Sequence, residues 1–85
     1  MRGPARWPLT THQATVLAAV AEAGDAPLAE IAYRLDRPRS WVAARLSEAY
    51  KRLDVAWMDR DERRAAAVRI ARRRGLIPTE PPEAA

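Results

Sequence analysis

The 85-residue sequence contains no cysteine and no phenylalanine. Without cysteine there are no disulfides, no thiolate metal sites and no thiol nucleophile. That is compatible with a reducing compartment, and a cytoplasmic location is the expectation. Histidine occurs once, as His12. A zinc site would have neither a thiolate nor a second imidazole, so no cofactor is expected. No apolar run approaches the roughly 18 residues that mark a membrane span. The first residues, MRGPARWPLTT, lack the apolar stretch of a signal peptide. Lysine is nearly absent. Fourteen of the fifteen basic residues are arginine, and alanine is abundant, a usage that suits a GC-rich bacterial or phage genome.

A chain of this length makes one domain and buries only about 60% of its unfolded surface. Hydrophobic residues make up 48% of it, but many are alanine, which buries little area. Leucine, valine, isoleucine, tryptophan and tyrosine must therefore carry most of the burial energy. Such a core leaves little room for a walled catalytic cavity. No nucleophile–base pair stands out. The acids Asp59, Asp61 and Glu62 are accounted for as favourable charges in the first turn of a helix. The chain is not expected to be an enzyme.

The formal net charge is +4 and the isoelectric point about 10.6. A basic balance suits an anionic partner, most commonly nucleic acid. The charge is unevenly spread. Residues 10–55 carry six basic and six acidic groups, whereas residues 56–75 carry seven arginines and three acids. The basicity thus lies mostly outside the segment of greatest interest below.

Gly3, Pro4 and Pro8 make residues 1–8 a flexible arm, which Trp7 could pin to the domain. Residues 9–77 form the domain. Residues 78–85, with three prolines, Glu80 and Glu83, read as a disordered tail. Within the domain the spacing predicts four helices. The first spans about 11–23, capped by Thr10 or Thr11, with Val16, Leu17 and Val20 inward and Gly24 as its stop. The second spans about 27–35, with Leu28, Ile31, Ala32 and Leu35 in one stripe. Asp36 and Arg37 make a very short connection. Pro38 opens the third helix, which runs to about Leu53 with Val42, Leu46, Ala49 and Leu53 inward and Tyr50 at the border. The fourth runs from about 59 or 60 to 74 with Ala67, Val68 and Ala71 on its apolar side, and Gly75 ends it. Arg72, Arg73 and Arg74 complement the dipole of its last turn.

A short helix, a tight turn and a longer helix over residues 26–55 form a helix-turn-helix pattern, which presents one helix to the DNA major groove. Base-touching residues must then lie on the exposed face of the third helix. Trp41, beside the inward stripe, reads as a partly buried core residue, and His12 as an exposed first-turn residue.

The pieces LTTHQATVL, AEIAYRL, WVAARLSEAYKRLDV and AVRIARRRGLI, in this order, resemble the four-helix DNA-binding domain of the LuxR family. The resemblance covers about four-fifths of the chain, and it implies an all-α fold. It departs from the family in a longer loop after Val55, in Arg37-Pro38 where Ser or Thr is usual, and in Ala43 and Ala44 at usually polar positions. MarR-type winged-helix regulators are a weaker resemblance. They would put DRDERR at the tip of a β-hairpin within 56–70, but RRAAAVRIARRR consists of helix formers without alternation. Region 4 of bacterial sigma factors shares the core motif.

The LuxR resemblance implies a double-stranded DNA partner and a set of contacts. Arg39, Ser40, Ala43, Ala44, Ser47 and Lys51 fall at groove-facing positions, and Thr11 and Arg34 at phosphate-contacting ones. Arg39 could pair bidentately with guanine, worth about 1–3 kcal/mol of discrimination. Ala43 and Ala44 could meet thymine methyls or let the helix approach closely. The resemblance further implies a homodimer through the fourth helix, with Ala67, Val68 and Ala71 as its seam. The expected role is a small transcriptional regulator that binds specific sites. The alternative is a protein-interaction module that docks on a regulator protein or RNA polymerase.

Overall fold

The computed structural model describes residues 9–78, and the arm and most of the tail lie outside them. The described residues form four helices and no strand: α1 (Thr11–Ala23), α2 (Leu28–Leu35), α3 (Arg39–Arg52) and α4 (Arg60–Arg73). The all-α expectation holds, and each boundary falls within a residue or so of its sequence-based position. The winged-helix alternative does not hold. Its hairpin at 56–70 would need the residues that α4 occupies, a stretch of strong helix formers. None of the helices among the described residues is long and apolar enough to cross a membrane.

The helix starts differ in how they are closed. Thr10 caps α1 through a capping box. Its hydroxyl accepts from the Gln13 amide at 3.2 Å, and its own amide donates to Gln13 Oε1 at 3.0 Å. Pro27, Pro38 and Asp59 precede the other three helices in extended conformation, and none supplies a side-chain cap. The ends are more uniform. After α2, α3 and α4 the chain turns through a left-handed residue: Asp36 at φ 58°, Asp54 at φ 62° and Gly75 at φ 74°. In each case the next amide reaches back five residues, from Arg37 to Ala32, from Val55 to Tyr50 and from Leu76 to Ala71. This is the Schellman closure, which satisfies carbonyls that the helix leaves free.

α1 is the centre of the packing and touches all three other helices. Its Val16, Leu17 and Val20 are buried, alongside Ile31 from α2 and Val42 and Leu46 from α3. Each such side chain contributes about 1.5–3 kcal/mol by leaving water. Val55 and Ile77, from the segments after α3 and α4, close the core. α4 contributes Ala66, Ala67 and Ala71, all essentially inaccessible. This corrects the expected dimer seam. Ala67 and Ala71 are used inside the chain, and only Val68 of the three keeps partial exposure.

Candidate nucleic-acid interface

α3 sorts its side chains onto four sides. Val42, Leu46, Ala49 and Tyr50 are buried. Ser40, Ala44, Ser47 and Lys51 stand opposite, spaced i, i+4, i+7 and i+11, and all are exposed. Their small size leaves the helix backbone accessible along this stripe. At 14 residues the helix is about 21 Å long, enough to lie along a groove about 12 Å wide.

One flank of α3 is tied to α1 through Trp41. The Arg37 guanidinium lies 4.5 Å from the centre of the Trp41 ring, and that of Arg45 lies 5.5 Å away. The His12 ring meets Trp41 edge-on at 5.3 Å. Such cation–π contacts are worth about 0.5–1 kcal/mol each at exposed sites. Arg45 then donates two bonds to Glu48, at 2.9 and 2.8 Å. Glu48 also accepts from Gln13 Nε2 at 3.1 Å. A polar chain therefore runs from the cap of α1 to the turn before α3. The bonds from Arg45, then that from Gln13, hold the Glu48 carboxyl below its ordinary range.

The other flank faces a groove of about 770 Å³ between α3, α4 and residues 25–28. Arg39 belongs to this side. It lines the groove with Leu46 and Tyr50 rather than joining the exposed stripe. Across from it stand Arg60, Arg63 and Arg64 from the start of α4. Arg63 donates to the Met58 carbonyl at 3.2 and 3.0 Å, and its guanidinium lies 5.5 Å from the Tyr50 ring. Arg64 donates to the Gly24 and Ala26 carbonyls at 2.9 Å each. Burial raises the Tyr50 phenol above its ordinary range, an effect that Arg64 and Arg63 oppose. The ring is therefore neutral at physiological pH.

Of the eight residues expected to meet DNA, seven are exposed and Ala43 is half-buried. The structure brings Ser40, Ala44, Ser47 and Lys51 onto one stripe and sets Arg39 on a neighbouring side. Thr11 opens α1, and Arg34 pairs with Glu30 at 3.1 Å on α2. That pair is exposed and one turn apart, so it competes weakly with an incoming phosphate. The Trp41 clasp and the arginine groove were not anticipated. The clasp leaves a trace in the sequence, since Arg37, Trp41 and Arg45 recur every four residues.

No protein-family model, curated protein or solved structure matches the chain.

Proposed function

We propose that the chain is a sequence-specific, LuxR-like helix-turn-helix regulator of bacterial or phage type that binds duplex DNA with α3 in the major groove. The observation that carries this reading is the stripe Ser40, Ala44, Ser47 and Lys51. It is exposed along most of α3, while the opposite face of the same helix is buried. A helix of a small domain needs only its inner face for stability, so this outer face is free to meet a partner.

In this reading, Ser40 and Ser47 exchange hydrogen bonds with base edges or phosphates, and Lys51 meets a phosphate. Ala44 permits close approach to the groove floor. α2 crosses the backbone, as the first helix of such motifs does. The Trp41 clasp holds Arg37 beside the start of α3, which favours a phosphate contact there at a reduced cost in side-chain entropy.

The test is binding of the full chain to fluorescein-labelled duplexes, drawn from a random-sequence pool by repeated selection. Affinity should fall steeply between about 50 and 200 mM salt, with a log–log slope of about −0.9 per phosphate contact. Selection should converge on a common sequence. An absence of binding at low salt, or no convergence, overturns the reading.

The exposed aromatic residues favour a second reading, a protein-interaction module. Tyr33 on α2 is 86% exposed and Trp57 after α3 is 72% exposed. Aromatic side chains of this kind often anchor protein interfaces. Loss of a regulator or polymerase partner on replacing Tyr33 and Trp57, with DNA binding absent, would select it.

A further inference from the structure

The groove between α3 and α4 holds a concentration of positive charge. Four arginines line it, against the two carboxylates of Asp25 and Asp61. Arg63 and Arg64 are anchored on main-chain carbonyls. Those acceptors are neutral, so they fix the guanidinium groups without cancelling their charge. Among the described residues neither Arg39 nor Arg60 enters an ion pair.

The positions of these last two matter. Arg39 is the first residue of α3 and Arg60 the first of α4. A cation at a helix start faces the positive end of the helix dipole, which is unfavourable. α3 thus begins with the wrong charge for its own stability, whereas at α4 the carboxylates of Asp59, Asp61 and Glu62 offset Arg60; both cations line the same groove. An anion seated there would make favourable contacts with both. Tyr50 and Leu46 form part of the groove's inner wall, so the anion would meet guanidinium groups over a partly apolar surface, where charge-assisted bonds are strong.

We propose that this groove is a phosphodiester channel, which takes the sugar–phosphate backbone of the DNA strand flanking α3. The proposal rests on the DNA-binding reading above. The groove adjoins the side of α3 next to the exposed stripe, and a strand bordering the occupied major groove runs past that side. Planar guanidinium forks match phosphate oxygens in pairs. The channel adds affinity and fixes the position of the duplex without reading bases. Of the seven arginines in residues 56–75, Arg60, Arg63 and Arg64 line the groove and would reach the DNA from the side, across it.

The experiment compares the full chain with Arg60→Gln and with the double variant Arg39→Gln/Arg60→Gln on one selected duplex over a salt series. Arg60 is exposed and makes no bond that the fold depends on, and circular dichroism checks the helix content of each variant. Each substitution should weaken binding several-fold at low salt and reduce the magnitude of the log–log slope by about 0.9. Base preference should not change. Asp61→Asn should strengthen binding.

If the parent chain binds duplex and Arg60→Gln leaves affinity and slope unchanged, the channel is wrong and the DNA-binding reading stands. If the parent chain binds no duplex at low salt, both fall. If it instead binds a polyglutamate peptide in an Arg60-dependent way and ignores duplex, the groove is a protein-docking surface and both fall.

Discussion

Gln13, buried on α1, donates a 3.1 Å hydrogen bond from its side-chain amide to the carboxylate of Glu48 on α3. The same side chain closes the capping box with Thr10. One residue thereby couples the start of α1 to the middle of α3. Arg45 and Gln13 depress the Glu48 carboxyl below its ordinary value of 4.5. A lowered folded-state value stabilises the fold above the ordinary value, and that stability is lost as pH falls through the lowered one. The melting temperature of the parent should therefore decline below about pH 4.5, more steeply than that of Glu48→Gln. Parallel declines in the two proteins would show that the bond contributes nothing.

Trp41 links α1, the turn and α3. Removing it leaves Arg37 without a platform and opens a void beside the core. A fully buried tryptophan costs about 3–5 kcal/mol on truncation to alanine, and this one is half-buried, so about 2 kcal/mol is expected for Trp41→Ala. Trp41→Phe keeps a ring for Arg37 and should lose less. Urea unfolding monitored by circular dichroism gives both values.

Asp36 and Asp54 hold left-handed conformations that suit glycine. Asp54→Gly should stabilise the chain by about 0.5–1 kcal/mol, because strain in the folded state is relieved. For a domain of this size that is a rise of a few degrees in melting temperature. Gly75→Ala should act in the opposite sense, although space around a new methyl is open, because φ at Gly75 is 74°. A scanning melt of the two variants separates backbone strain from packing.

Ala44 sits in the middle of the exposed stripe. Ala44→Glu should leave stability within about 0.5 kcal/mol of the parent, as surface changes do. It should nevertheless lower duplex affinity at least tenfold, since it places an anion against a polyanion. Unchanged binding by a folded Ala44→Glu would mean that DNA, if bound, is held elsewhere.

The sequence made the helices legible because their signals were strong and local. Thr10 or Thr11, Gly24, Pro27, Pro38 and Gly75 punctuate the chain, and the apolar residues between them keep helical spacing. The exposed stripe followed from the same spacing, since whatever does not face inward on α3 must face outward. Long-range placement was harder to see. Whether Ala67 and Ala71 face a second copy or α1 depends on where α4 packs, and alanine suits both settings equally. The salt-bridge partner of Arg45 lies three residues away, but the Gln13 bond to Glu48 spans 35 positions and leaves no local trace. The arginine groove was hidden for the same reason. It joins the first turns of α3 and α4, which the sequence separates by twenty residues.

The alanines that join α4 to the rest of the chain act as a spacer one methyl group thick. Ala66, Ala67 and Ala71 let the helix axis approach closely, and the close approach fixes how far Arg60, Arg63 and Arg64 stand from α3. Ala67→Val should cost about 1–3 kcal/mol by overpacking, read from urea unfolding. It should also push α4 outward and widen the arginine groove. The width of the charged channel is therefore set from behind, by residues that never touch its contents. Changes in the size of those buried side chains would tune the grip on an anion while leaving every arginine in place.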